Sequence, residues 1–153
     1  MEVEILNDKS RIYSASADRK VRIYSWGGSS FSLVQTITYF SQPMSVRATS
    51  DGLTMVAGGQ NFKINVYSYD GTNYNDVQTI SVGSMVNTLT ISDNGELIAS
   101  GCSDFKTRLY EKNSGTFSII QTLTASQNVQ SVQLTSDGNN LLIGAADQKG
   151  RIY

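Results

Sequence analysis

Few residues in this chain of 153 could perform catalysis. It contains no histidine and one cysteine, Cys102. Histidine is the commonest general base, and a nucleophilic cysteine needs an activating base beside it. The positions equivalent to Cys102 in the repeats described below hold Ser16, Gly59 and Ala145. We therefore interpret Cys102 as a small buried filler rather than a reactive thiol.

The acidic residues recur at equivalent places in predicted turns. One column contains Asp18, Asn61, Asp104 and Asp147, and another contains Asp51, Asn94 and Asp137. Asp and Asn favour tight turns for conformational reasons, and we prefer this explanation to a carboxylate pair of the kind that hydrolyses glycosides. No Cys/His cluster or Asp-x-Asp-x-Asp loop indicates a metal site. We expect no catalytic residues, no metal and no cofactor.

A binding role has better support than catalysis. Two positions after each residue of the first column comes a lysine: Lys20, Lys63, Lys106 and Lys149. The residues between are Arg19, Phe62, Phe105 and Gln148. Aromatic side chains and arginine are enriched in interface hot spots. The alternative is that the lysines are solvated charges and the phenylalanines cover strand edges. Single-stranded nucleic acid also stacks on basic aromatic surfaces, but a net charge of −1 and a pI of 5.3 do not favour it.

Composition also limits the cellular setting. No apolar run reaches the length of about 18 residues that predicts a transmembrane helix. The first residues, Met1 to Glu4, alternate between apolar and acidic, unlike a signal peptide. A single cysteine cannot form an intrachain disulfide, which fits a reducing compartment. We expect a cytoplasmic protein without a membrane partner.

The elements that position these residues follow a repeat. Tyr24, Tyr67, Tyr110 and Tyr153 are spaced 43 residues apart, and each ends a phrase similar to Val21-Arg22-Ile23-Tyr24. Within the unit 44–86, four short runs with strand composition are separated by turn signals such as Asp51-Gly52. No segment has the 3.6-residue apolar stripe of a helix. The sequence predicts an all-β repeat protein built of four-stranded units.

Apolar columns recur in each unit. The first strand has Val3, Val46, Leu89 and Val132, the third has Ile23, Val66, Leu109 and Ile152, and small residues recur at Ala15, Gly58, Gly101 and Gly144. The fourth strand repeats a phrase like Val34-Gln35-Thr36-Ile37 after an aromatic residue. A four-stranded sheet buries too little alone, so we expect these columns to form cores shared between neighbouring units. The small column is expected where backbones approach closely.

These columns resemble the WD-repeat β-propeller family over essentially the whole chain. In that family an Asp after the second strand precedes the motif tryptophan by six residues. Here the same spacing joins Asp18, Asn61, Asp104 and Asp147 to Tyr24, Tyr67, Tyr110 and Tyr153, and the resemblance implies a structural role for all of them. Tyrosine replaces the tryptophan, and the Gly-His of the family is missing. The His-Ser-Asp-Trp hydrogen-bond chain of the family therefore cannot form in full.

The resemblance implies an all-β fold, a partial β-propeller of four-stranded antiparallel blades. Blade one covers about 1–43, blade two 44–86 and blade three 87–129, while 130–153 supply three strands of a fourth blade, all within one domain, 1–153. The resemblance also places the turns after the second strands, together with the linkers between blades, along one rim of the disc. The predicted partner-binding rim consists of Arg19, Lys20, Tyr39, Phe40, Phe62, Lys63, Phe105, Lys106, Gln148 and Lys149.

Three blades and three strands do not close a ring, since propellers have roughly 4–8 blades. We expect apolar residues such as Val3, Ile5, Leu134 and Ile152 to be exposed on the two end faces. Burial of each side chain stabilises by roughly 1.5–3 kcal/mol, so we expect a partner to cover them. Two copies joined head to tail would give eight blade positions and close the ring by self-association. The alternatives are a segment of a longer propeller, and completion by a different protein.

The sequence therefore favours a non-catalytic interaction scaffold that self-associates, as a homodimer, and presents its rim to a protein or peptide. The second hypothesis is a propeller that binds a small ligand or glycan between blades, motivated by the aromatic columns and the Asn/Asp turns. The third, and least favoured, is an enzyme that uses acidic residues on the rim.

Overall fold

A computed structural model describes residues 2–153. The strands of this part of the chain form four antiparallel sheets. The first sheet contains β1 (Glu2–Ile5), β2 (Arg11–Ser16), β3 (Lys20–Trp26) and β4 (Phe31–Thr38). The second contains β5 (Pro43–Ala48), β6 (Thr54–Gly59), β7 (Lys63–Tyr69) and β8 (Tyr74–Ser81). The third contains β9 (Val86–Ile91), β10 (Leu97–Cys102), β11 (Lys106–Asn113) and β12 (Thr116–Thr124). The fourth has only β13 (Val129–Leu134), β14 (Leu141–Ala145) and β15 (Gly150–Ile152).

The predicted all-β fold is confirmed, with sheets of four, four, four and three strands. This architecture is consistent with a partial propeller. Residues 2–153 contain no helix that could cross a membrane.

Each sheet is a meander whose strands pair in chain order. The turn between its first two strands uses a glycine in the left-handed conformation, at φ 67° in Gly52, 72° in Gly95 and 74° in Gly138. Glycine adopts such angles without steric cost. The first sheet differs, because Lys9 takes the same conformation at φ 60°. The Asp-Gly and Asn-Gly pairs of the sequence therefore lie in turns, as predicted.

The sheets stack face to face, and their innermost strands β1, β5, β9 and β13 lie side by side in that order. An apolar core fills each of the three interfaces. In the first, Tyr13 and Ile23 of the first sheet pack with Val46, Met55 and Tyr67 of the second. The cores thus lie between sheets, which is the arrangement predicted for units that bury little alone.

Two glycines of the small-residue column, Gly58 and Gly101, lie where neighbouring sheets approach closely. A Cβ atom added to Gly101 would lie 2.5 Å from Val129 Cγ1 and 2.7 Å from Thr88 Cγ2. A Cβ atom on Gly58 would lie 3.2 Å from Leu89 Cδ1. Because packed interiors have little spare room, a larger side chain at Gly101 would displace the fourth sheet. The predicted close approach is confirmed at Gly58 and Gly101.

The two end faces match the prediction except at one residue. Val3, Ile5 and Ile152 are 63%, 55% and 74% exposed. The predicted exposure of Leu134 is wrong, because this side chain is buried. Leu134 pairs with Leu141 and packs in the core toward the third sheet. Successive residues of a strand face opposite sides, so Leu142 of β14 lies on the open face in its place.

The repeated tyrosines do not share one environment. Tyr67 and Tyr110 are buried, whereas Tyr24 and Tyr153 are partly exposed. The hydroxyl of Tyr67 lies 2.6 Å from that of Tyr39, which is also buried. The hydroxyl of Tyr110 has no hydrogen-bond partner among residues 2–153. The difference follows from the linkers, since Val82 occupies the position in the second linker that Tyr39 holds in the first.

Phenylalanine should therefore have different effects at the two buried tyrosines. Tyr67→Phe leaves the Tyr39 hydroxyl buried and unpaired, and we expect it to lower the free energy of unfolding by about 1–3 kcal/mol. Tyr110→Phe removes a polar atom that has no partner, so the free energy of unfolding should stay the same or rise. Urea denaturation of both variants at one protein concentration measures the difference. Equal losses in the two variants would contradict this assignment.

Candidate interaction surfaces

The turns after the second strands and the linkers between sheets lie together along one rim. The backbone amide of Tyr39 donates to the carbonyl oxygen of Arg19 at 2.8 Å. Equivalent bonds join Val82 to Phe62 at 2.9 Å and Ala125 to Phe105 at 2.7 Å. These bonds fix each linker against the preceding turn, in the placement that the family resemblance implies.

The ten predicted rim residues differ in how far they are exposed to solvent. Phe40 is 95% exposed, and Phe62 and Phe105 are about half exposed. Among the charged residues of the rim, Arg19, Lys63 and Lys149 are exposed, whereas Lys20 and Lys106 are partly buried. Tyr39 is largely buried, so its ring supports the rim and offers little surface to a partner. Tyr39, Phe40 and Lys63 line one open cleft of about 330 Å³ between the first two sheets. The remaining rim residues, Arg19, Lys20, Phe62, Phe105, Lys106, Gln148 and Lys149, do not line this cleft.

The rim turns hold bulky residues in an unfavourable backbone conformation. Arg19, Phe62, Phe105 and Gln148 all have positive φ angles between 61° and 68°. The left-handed region costs a residue with a Cβ roughly 1–2 kcal/mol. Phe62 and Phe105 are exposed in this conformation, so each combines the steric cost of a left-handed backbone with the cost of an apolar ring in water.

Asparagine tolerates the left-handed conformation better than phenylalanine does. We therefore expect Phe62→Asn and Phe105→Asn to keep the free energy of unfolding unchanged or to raise it by up to about 1 kcal/mol. Phe40→Asn is the matched control, since Phe40 is exposed without a positive φ angle. Thermal and urea unfolding measure the effect. A marked loss of stability in the two turn variants would show that their rings stabilise the fold instead.

The first acidic column has a structural role. Asp18, Asp104 and Asp147 each form an ion pair at 2.5 Å with the arginine four residues later: Arg22, Arg108 and Arg151. Hydrogen bonds from the arginines hold the pKa of Asp18 and of Asp147 below the usual range. The second sheet has asparagines at both positions, and Asn65 donates to Asp76 instead, at 2.7 Å.

The remaining candidates for chemistry are enclosed or dispersed. Cys102 is fully buried, as predicted, with its Sγ 3.7 Å from Ser100 Oγ. Burial raises the pKa of the Cys102 thiol and so disfavours the nucleophilic thiolate. Among residues 2–153, no three Cys, Asp or Glu side chains cluster as metal ligands do.

Polar bonds between inner strands set the register of neighbouring sheets. The amide of Val46 donates to Glu2 Oε2 at 3.2 Å, and the amide of Leu89 donates to Ser45 Oγ at 3.0 Å. In both cases the acceptor side chain lies 44 residues before the donor. Glu4 with Ala48 and Thr90 with Leu134 repeat this spacing at 2.6 and 3.3 Å. Each inner strand thus offers side-chain oxygens to backbone amides of the next.

Glu4 is the residue of this series whose carboxylate lies in an environment that disfavours its charge. Burial raises the pKa of the Glu4 carboxyl to about 7, although nearby Arg47 and the Ala48 amide lower it. Glu2 raises it further through like-charge repulsion, and Glu2 itself forms an ion pair with Arg47. The folded chain therefore binds a proton at Glu4 more tightly than the unfolded chain does.

A raised carboxyl pKa in the folded state makes stability depend on pH. The contribution of Glu4 is fully present below its ordinary pKa of 4.5 and is lost as the pH rises through about 7. We expect Glu4→Gln, which keeps an acceptor for Ala48, to flatten this decline and to be more stable than the parent chain at pH 8. Exposed Glu96→Gln is the control. Urea denaturation from pH 5 to 8 measures it, and parallel profiles for parent and Glu4→Gln would contradict the expectation.

The two end faces carry the same columns that fill the internal cores. Val46, Leu89 and Val132 are 0–3% exposed, whereas Val3 in the same column is 63% exposed. On the other face, Leu142 is 42% exposed although its equivalents Tyr13, Val56 and Ala99 are fully buried. The two end faces therefore carry the same apolar columns as the internal interfaces, but no sheet within residues 2–153 covers them.

A contact that the sequence interpretation missed lies at the outer strands. The side-chain amide of Gln35 donates to the carbonyl oxygen of Tyr74 at 2.9 Å and accepts from the Tyr74 amide at 2.7 Å. Gln78 forms the same pair with Phe117, at 2.8 and 2.7 Å. We name this two-bond contact the glutamine clamp. The repeated glutamine in the fourth-strand phrase was its only signal, and the sequence alone does not show what the side chain binds.

Residues 75–111 match the family model described as WD domain, G-beta repeat. The matched segment begins in β8, includes β9 and β10, and ends in β11 one residue after Tyr110. A search of curated proteins found no match to the chain. Together with the stacked antiparallel sheets, the family match confirms the resemblance to WD-repeat proteins.

Proposed function

We propose that this WD-repeat-like chain is a non-catalytic interaction scaffold that pairs with a second copy of itself and presents its rim to a protein or peptide. WD repeats suggest a protein-interaction propeller in general terms. The observation that carries the finer proposal is the pair of open end faces. Their apolar columns are buried wherever a neighbouring sheet exists within the chain.

A second copy is a chemically matched partner for these faces. The forward face of the fourth sheet carries exposed Ser131 and Gln133 on β13. They occupy the positions from which Glu2, Ser45 and Thr90 accept amides of the next inner strand. In a head-to-tail pair, the amides of Val3 and Ile5 in the second copy would be their partners. Exposed Leu142 and Ile152 would then cover the side chains of Val3 and Ile5.

Two copies related by a two-fold axis can close such a pair into a ring. Each copy contributes four sheets, and both of its end faces are covered by the other copy, so no apolar face remains open. Eight sheets lie within the range of about 4–8 blades found in propellers. Both apolar end faces of each copy are therefore covered in the same pair.

The rim supports the second half of the proposal. Phe40, Phe62 and Phe105 are exposed among lysines, and two of them hold a costly backbone conformation. Exposed aromatic side chains beside cations suit the recognition of another protein. We further propose a cytoplasmic location, since a single buried cysteine suits a reducing compartment.

The self-association is tested by solution mass. We expect sedimentation equilibrium to give twice the chain mass of 16.7 kDa. Val3→Asp places a charge in the proposed interface, and because burying an unpaired charge is unfavourable we expect at least about tenfold weaker pairing. Val77→Asp on β8 is the matched control, because Val77 is 59% exposed and lies on neither end face.

Two outcomes would overturn the proposed pairing. One is a parent chain that has the mass of a single copy at every soluble concentration. The other is an equal loss of pairing in Val3→Asp and Val77→Asp, which would indicate general destabilisation.

A further inference from the structure

The glutamine clamp joins the outer strands of neighbouring sheets through backbone atoms. Gln35 of β4 binds both the amide and the carbonyl of Tyr74 at the start of β8. Gln78 of β8 binds Phe117 near the start of β12 in the same way. In each case the clamped residue is aromatic, lies 39 residues after the glutamine, and has a buried side chain. The clamp thus fixes the strand while the ring enters the core between sheets.

The third glutamine of the series is Gln121, on β12. It is exposed, whereas Gln35 and Gln78 are half-buried. Leu109, whose equivalents Ile23 and Val66 are buried, is partly uncovered on the same side of the third sheet. The amide donor, the acceptor and the apolar surface of a clamp are therefore all present and accessible.

The adjacent edge of the fourth sheet is also open. In the first three sheets an outer strand pairs with the third strand, as β12 pairs with β11 from Lys106 to Asn113. The corresponding strand β15 pairs on one side with β14, and the described chain provides no strand on its other side. An unpaired strand edge offers backbone donors and acceptors to an added strand.

We propose that β15 and Gln121 form one binding site for an extended peptide strand that carries an aromatic residue. The strand would add antiparallel to β15, and Gln121 would clamp the backbone of the aromatic residue while its ring covers Leu109. This inference takes from the proposed function only that the chain is a binding scaffold. It uses the outer edge of the fourth sheet, not the end faces that would join two copies.

The three outer strands of the chain define the chemistry of the occupant. Each has an aromatic residue followed, after two positions, by an aliphatic residue, Gln, Thr and another aliphatic residue: Phe31–Ile37, Tyr74–Ile80 and Phe117–Leu123. The register of β11 with β12 pairs Arg108 with Thr122, so Arg151 is expected opposite the threonine of the bound strand. The clamped residue must have a free amide, which excludes proline at that position.

The probe is a fluorescently labelled peptide with the sequence of residues 116–125, and fluorescence anisotropy with the intact chain measures its affinity. We expect saturable binding that weakens about tenfold when Gln121→Ala removes the two clamp bonds. Gln130→Ala, another exposed glutamine outside the site, is the control and should leave the affinity unchanged. N-methylation of the peptide amide at the phenylalanine should cause a similar loss, because it removes one donor.

Hydrogen exchange identifies where the peptide binds. We expect the bound peptide to slow exchange of amides in Gly150–Ile152 and not in the outer strands β4 and β8. Absence of saturable binding, equal affinity for parent and Gln121→Ala, or protection elsewhere would each overturn the proposal. Repeating the titration with Val3→Asp separates the two hypotheses. A single-copy species that still binds the peptide supports the strand site independently of pairing. A chain that pairs but does not bind the peptide supports the pairing and overturns the strand site.

Discussion

The whole structure depends on the need of each sheet to cover two apolar faces. A single four-stranded sheet has side chains on both faces and no third layer of its own, so its core lies between it and its neighbours. The contrast between buried Val46 and exposed Val3, at equivalent positions, shows that neighbours and not sequence decide burial. Stability in such an array is a sum of contacts between adjacent units. The first and fourth sheets, with one neighbour each, are therefore the least supported.

Directional bonds add register to this non-directional packing. Near the inner edge, the oxygens of Glu2, Ser45, Glu4 and Thr90 accept amides 44 residues later. At the outer edge, the glutamine clamp acts 39 residues apart. Apolar contacts alone would allow one sheet to slide over the next. Between the first three sheets, bonds at both edges oppose such sliding and help to fix the rotation from one sheet to the next. Among residues 2–153, no glutamine clamp joins the third sheet to the fourth.

The sequence predicts the strands, the tight turns and the shared cores, because these follow from local composition and the 43-residue spacing. It does not predict which face of a strand meets which neighbour. Leu134 was assigned to the wrong face for this reason, since alternation along a strand is visible in sequence but its phase relative to the stack is not. The sequence also does not show that Tyr39, a residue of the predicted rim, has a hydroxyl that bonds Tyr67 inside the fold. The glutamine clamp escaped notice because a polar residue on an outer strand ordinarily faces water.

The clamp and the inner-edge bonds have a common property: a side chain of one unit binds main-chain atoms of the next. Main-chain atoms are the same whatever residue is present. Each copy can therefore diverge in side-chain identity without losing its attachment to the copies beside it. Tandem duplication of one ancestral unit, followed by independent substitution in each copy, would therefore keep neighbouring units attached while their side chains change.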